Sequence, residues 1–238
     1  MTYYSLPGIY QSNPGFHVRH LIPRVKICCI SSIEEARTAV EAGASAIGLV
    51  GPMPSGPGVI SDDLIYQIAQ AVPPPIGTFL LTSETSVSSI INHYQRTLTN
   101  TLQLVDSLSA GSYSELRNAI PGIKVVQVIH VINERSVDNA IEISEQVDAI
   151  LLDSGNPDLP VKELGGTGRT HNWELSRKIR DSIKIPVFLA GGLNPENIRQ
   201  AIDIVQPFGI DLCSGVRTNG QLNREKLDRF MNEVLKTG

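Results

Sequence analysis

The chain has 238 residues, 41% hydrophobic, 18% charged and 5% aromatic, with a net charge of −4. That length suits one α/β barrel, a class whose single domains run to roughly 200–250 residues, and ordinary Gly and Pro contents exclude a collagen-like or disordered chain. The acidic balance argues against a nucleic-acid binder, and no apolar run reaches the ~18 residues of a membrane span. Three cysteines give no disulfide framework and point to a reducing, cytoplasmic setting; residues 1–8 lack the regions of a secretory signal.

Residues 1–24 carry Pro7, Gly8, Pro14, Gly15 and Pro23 with no sustained periodicity, so they read as an irregular extension ahead of a domain over 25–238. From Val25 onward one unit recurs: an apolar run, a turn, a helical period, then Gly or Pro. The runs are Val25–Cys29, Ala46–Val50, Ile76–Leu81, Thr101–Val105, Val125–Val131, Ala149–Leu152, Val187–Ala190 and Gly209–Cys213. Ser31 and Glu34 form a capping-box pattern opening a helix over Ile33–Ala42, with Gly43 just past its end. Asn194 before Pro195 marks a later helix start. The Ser/Thr-rich stretch Thr82–Thr101 makes the third and fourth units the weakest. Eight strand–helix units in this length predict a closed (β/α)8 TIM barrel.

Such a barrel places chemistry at the C-terminal ends of its strands, with phosphate often held by the loops after strands seven and eight. Strand seven ends in Gly191 and Gly192 and strand eight in Ser214 and Gly215, where free backbone N–H groups can approach an anion closely. The long loop after strand six, from Ser154 to about Thr170, adds Gly165, Gly166, Gly168 and Arg169 and could fold over a ligand. Neither a Walker loop nor a Rossmann fingerprint is present.

Cys28 and Asp153 fall at the ends of strands one and six, an ionisable thiol and a carboxyl on the same rim as the phosphate cradle. The plainer alternatives are a small buried hydrophobe for Cys28 and a turn cap for Asp153. Alternation puts Lys26 on the face of Cys28 and Asp211 on the face of Cys213; if both point inward, they meet as an ion pair where the barrel closes. Cys29, of opposite parity, should face the helices. His17, His20, His93, His130 and His171 show no metal-ligand spacing, so no metal is expected. Trp173 and Met231 read as core or helix-face residues.

Five segments together carry a resemblance: Lys26–Cys28, Ile150–Ser154, Gly165–Thr170 with Trp173, Leu189–Asn197 and Asp211–Val216. In order and spacing they resemble the phosphoribosylanthranilate isomerase family of tryptophan biosynthesis. The resemblance implies a cofactor-free Amadori rearrangement of a small phosphorylated aminosugar by a cytoplasmic monomer or homodimer, with no nucleic-acid or membrane partner. It implies Asp153 as general acid and Cys28 as general base. Gly166, Gly191, Gly192, Ser214 and Gly215 would bind substrate and phosphate, and Gln103 would face the substrate.

Three positions depart from the family pattern. Cys29 replaces a Gly, Gly58 stands where an Arg grips the anthranilate carboxylate, and Val105 and Asp106 replace His and Gly. Arg19, Arg24 and Arg217 are the candidate substitutes for that cation, Arg217 lying nearer the phosphate turn, and Gly58→Arg is expected to lower KM. The alternatives are the same chemistry on an N-substituted phosphoribosylamine without a carboxylate, and a non-catalytic sugar-phosphate-binding barrel.

Overall fold

The computed structural model describes residues 22–54, 56–155 and 170–236. Residues 1–21 of the expected extension, Arg19 among them, and the candidate Gly166 lie outside that set. Strands and helices alternate as β1 (Arg24–Ile27), α1 (Ile33–Glu41), β2 (Ala46–Val50), α2 (Asp62–Ala71), β3 (Gly77–Thr82), α3 (Val87–Thr97), β4 (Thr101–Leu104) and α4 (Tyr113–Ala119). They continue as β5 (Lys124–His130), α5 (Arg135–Ser144), β6 (Ala149–Asp153), α6 (Trp173–Ser182), β7 (Val187–Leu189), α7 (Ile198–Val205), β8 (Gly209–Leu212) and α8 (Arg224–Leu235).

The eight strands are parallel and close into a barrel, with Arg24–Ile27 of β1 paired to Gly209–Leu212 of β8. Arg24, placed in the extension by sequence, therefore opens the first strand, at the end of the barrel away from the strand C-termini.

Local chemistry sets the helix starts. The Ser32 side chain accepts the Glu35 N–H at 3.0 Å and Glu35 Oε2 accepts the Ser31 N–H at 2.9 Å, so the capping box sits one residue later than Ser31 and Glu34. Glu34 instead reaches Arg37 at 3.1 Å on the solvent face. The Ser/Thr-rich third unit is regular because Ser86 caps α3, accepting from the Ser89 N–H. Asn194 accepts the N–H groups of Glu196 and Asn197 at 2.9 and 3.1 Å, which closes a turn and delays α7 to Ile198.

Two apolar layers follow from strand alternation. Outward residues such as Ile27, Ile47, Leu80, Leu102, Val125, Leu152 and Ile210 pack against the helices. Inward ones, including Ala46, Phe79, Val126, Val128, Leu151 and Phe188, fill the barrel. Each large apolar side chain so buried contributes roughly 1.5–3 kcal/mol. Phe79 and Phe188 meet edge to face at 6.0 Å, plugging the lower interior. A cavity opens toward the strand C-termini.

Candidate functional site

The cavity is lined from around the rim: Cys28 after β1, Val50 of β2, Leu81 of β3, Gln103 of β4, Val128 of β5, Asp153 of β6, Gly191 and Gly192 after β7, and Asp211 and Ser214 on the β8 side. The structure thus brings both predicted acid–base residues and three of the predicted phosphate positions into one space. Gln103 lines it too, and its buried Oε1 has no hydrogen-bond partner among the described residues, so an acceptor waits there for a donor.

Cys28 is a free, buried thiol. Desolvation pushes its pKa up to about 11, while the Lys26 ammonium pulls it down. Lys26 is wholly buried and bonded to Asp211 at 2.8 Å, the pairing that strand parity predicts. Burial acts to lower the Lys26 pKa, but Asp211 and Cys28 outweigh it and hold the ammonium above its usual value. Gly48 of β2 leaves the room in which these groups meet: a Cβ there would stand 2.7 Å from Cys28 Sγ and 2.9 Å from Lys26 Nζ.

Asp153 ends β6 with its carboxyl 8% exposed. Its Oδ1 accepts the Ser154 N–H at 2.7 Å. Desolvation dominates and raises its pKa, opposed by the Ser154 N–H and by His130 and reinforced by Asp211. His130 ends β5 directly across the ladder from Asp153, and its buried Nδ1 has no partner among the described residues. Sequence considered His130 only as a metal ligand; its register opposite Asp153 was the missed signal.

The phosphate corner combines two turns. Gly191 and Gly192 adopt φ of 80° and 62°, a region that favours glycine. Neither backbone N–H is used in a hydrogen bond among the described residues. Ser214 opens a one-turn 3-10 helix, whose first N–H has no intrahelical acceptor. Gly215 also has a packing role: it lies behind the residues that line the cavity, and a Cβ there would collide with the Leu193 carbonyl. It lets the β8 turn press against the β7 turn. Behind Gly191 lies His171, held through Nε2 by Ser176 Oγ at 2.7 Å and lowered by burial to a pKa of about 4.

Two expectations are corrected. Cys29 does not face the helices: it has φ 62°, which breaks strand alternation, and it lines the cavity, disulfide-bonded to Cys213. Three cysteines therefore yield one bridge, from β1 to β8, and one free thiol. Arg217 is no ligand cation either. It binds both Glu35 oxygens, at 2.9 and 3.1 Å, the carbonyls of Cys28 and Cys29 at 3.3 and 2.5 Å, and the Gly220 carbonyl at 2.8 Å. Burial works against the Glu35 carboxylate, but the Arg217 bond and the N–H groups of Leu222 and Ser31 outweigh it and hold its pKa low. This half-buried pair braces the loop after β1 against the segment after β8. Arg24 lies at the wrong end of the barrel to serve the mouth.

The loop after β2 forms the remaining wall through Met53, Gly56 and Pro57. Gly58 has φ 78°, and a Cβ there would fall 2.5 Å from Cys29 Cβ. No Lys, Arg or His side chain lines the cavity among the described residues.

Comparison with known proteins fits this geometry. The family model for N-(5'-phosphoribosyl)anthranilate (PRA) isomerase matches residues 25–233. N-(5'-phosphoribosyl)anthranilate isomerase 2 of Methanosarcina mazei is 35% identical over 213 residues, covering 89% of this chain and 93% of its own. The crystal structure of the phosphoribosyl anthranilate isomerase from Thermotoga maritima superposes with a TM-score of 0.74 at 32% identity, covering 90% of this chain and 99% of the other. A further phosphoribosyl anthranilate isomerase structure, in complex with reduced 1-(o-carboxyphenylamino)-1-deoxyribulose 5-phosphate, matches with a TM-score of 0.71 at 30% identity over 90% and 99% of the two chains.

Proposed function

The chain belongs to the N-(5'-phosphoribosyl)anthranilate isomerase family and is an isomerase of the aldose–ketose kind; from that premise we propose that it rearranges N-(5-phosphoribosyl)anthranilate with Asp153 as general acid and Cys28 as general base. The single observation that carries the assignment is the placing of Cys28 and Asp153 on one cavity wall with the paired glycine turn Gly191–Gly192. The protonated Asp153 carboxyl gives its proton to the furanose ring oxygen. The bond from that oxygen to C1′ breaks while the amine lone pair forms C=N, giving a protonated Schiff base. The Cys28 thiolate takes the proton from C2′, leaving an enolamine that tautomerises to the aminoketose. Asp153 ends as carboxylate and Cys28 as thiol, and one proton passed back from sulfur to carboxyl resets the pair.

The backbone N–H groups of Gly191, Gly192 and Ser214 suit the phosphate, and the unpartnered Gln103 Oε1 suits a sugar hydroxyl. A small phosphorylated aminosugar is then the partner. No helix among the described residues is long and apolar enough to cross a membrane. One observation favours a second reading, an aglycone without a carboxylate: the wall formed by Val50, Met53, Pro57, Leu81 and Val105 carries no charge. Freshly made phosphoribosylanthranilate loses its fluorescence on isomerisation. Saturable turnover that Cys28→Ser and Asp153→Asn abolish supports the first reading; none with the wild-type chain removes it.

A further inference from the structure

We propose that Lys26 is a positioning residue for the base: its ammonium, anchored by Asp211, meets the Cys28 sulfur in the space left by Gly48 and stabilises the thiolate that takes the C2′ proton. The proposal rests on the reading of Cys28 as base.

Lys26 and Cys28 are two residues apart and both point inward. Gly48 opposite them supplies no side chain, and both Sγ and Nζ border the site its Cβ would occupy. Nζ is fixed on its far side by Asp211 at 2.8 Å and lies 5.3 Å from the Phe79 ring centroid, an arrangement that favours a cation. A wholly buried ammonium needs anionic company. Asp211 supplies that unit of charge, and the Cys28 sulfur borders the same small space on the Gly48 side.

Among the described residues, the titratable and charged groups around Cys28 are Lys26 on its own strand, Asp211 on β8, Asp153 on β6 with His130 behind it, and Arg217, paired with Glu35, at the Cys28 carbonyl; β2 contributes Gly48, which has no side chain. Thiol with carboxylate and thiolate with carboxylic acid have the same net charge and differ only in where one proton sits. Burial raises both pKa values, that of Cys28 to about 11 and that of Asp153 above the ordinary carboxylate value. Lys26 is the charged side chain that acts against the rise at Cys28. It therefore favours the form in which the proton has left sulfur for the Asp153 carboxyl, a transfer that needs no exchange with solvent.

Iodoacetamide labelling of Cys28 in the intact, unreduced protein, read by mass spectrometry at fixed pH, tests this. Lys26→Met should slow labelling about tenfold, because the thiolate fraction falls faster than the nucleophilicity of the remaining thiolate rises. Asp211→Asn should speed it about threefold or more, because the freed ammonium takes Cys28 as its counter-ion. Loosened packing alone would speed both, since both break the same ion pair. Opposite signs support the proposal; rates that rise together or do not move overturn it. Should Lys26→Met fail to fold, Asp211→Asn decides alone, and labelling no faster than wild type overturns it. Wild-type turnover by Cys28→Ser overturns reading and proposal together, whereas an inactive Cys28→Ser with unsplit labelling rates overturns the proposal only.

Discussion

Cys29 stands where a side chain on residue 58 would have to begin: its Cβ lies 2.5 Å and its Cα 2.9 Å from the position a Cβ on Gly58 would take. Both residues have positive φ, 62° and 78°. Only one of the two positions can carry a side chain in this backbone, so a Gly at 58 and a Cys at 29 form one linked choice.

The first prediction reverses the sequence expectation for Gly58→Arg. The left-handed backbone costs a non-glycine residue roughly 1–2 kcal/mol, and overlap with Cys29 adds to that. The single variant should melt several degrees lower and turn over phosphoribosylanthranilate no better. In Cys29→Gly/Gly58→Arg the 2.5 Å overlap with the Cys29 side chain is removed and only the 2.9 Å approach to the residue-29 Cα remains, so KM should fall below that of the single variant as a carboxylate gains a guanidinium. Thermal unfolding and steady-state kinetics on both variants check this. A stable, improved Gly58→Arg would show that the loop after β2 rearranges freely.

Asp153→Asn should separate stability from activity. Burial raises the Asp153 pKa, so the folded state holds that proton more tightly than the unfolded chain, and stability falls as pH rises from the ordinary carboxylate value through the folded one. At pH 7 the buried carboxylate is therefore a cost that Asn removes. The variant should unfold at higher denaturant than wild type while losing on the order of 10²–10⁴ in rate. Equal stability at pH 7 would show that Ser154 and His130 already offset the burial.

His171 should govern an acid limb of stability. Its folded pKa is lowered by burial to about 4, so the unfolded chain binds the extra proton between about pH 6.5 and 4 and stability drops as pH falls through that window. The whole effect is roughly 3 kcal/mol at 1.36 kcal/mol per unit. Denaturant midpoints measured across the window should slope for wild type and flatten for His171→Gln.

The Cys29–Cys213 bridge should be worth measurable heat stability. It spans a sequence separation of 184 residues, for which the chain-entropy model gives ~5 kcal/mol as an upper value. Reductant should lower the melting temperature of wild type and leave that of Cys213→Ala unchanged. The barrel should stay closed below that temperature, since Lys26–Asp211 and the Arg217 bonds to Cys28, Cys29 and Glu35 cross the same seam.

Legibility in sequence stops where strand alternation stops. Parity within β1 and β8 is enough to pair Lys26 with Asp211 and to turn Cys28 inward, and the recurring apolar runs are enough for the barrel. One residue beyond the ladder, Cys29 takes a left-handed φ, and parity points it the wrong way. Arg217 shows no signal of its true partners because Glu35 is 182 residues away and the Cys28 and Cys29 acceptors are backbone carbonyls. Gly215 reads as an anion-binding glycine, and its further need, to clear the Leu193 carbonyl in another turn, has no mark in the linear pattern. His130 and His171 matter through neighbours on adjacent elements, Asp153 and Gly191, which a linear pattern does not display.

The bridge also changes what kind of object the chain is. From Cys29 to Cys213 the backbone and the two sulfurs make a closed ring that takes in β2 through β8, with β1 and α8 on its two tails. A protease that cuts once between Ser31 and Leu212 opens this ring without releasing a fragment. Under denaturing electrophoresis the nicked protein should travel as a single species until a reductant is added, and only then part into two.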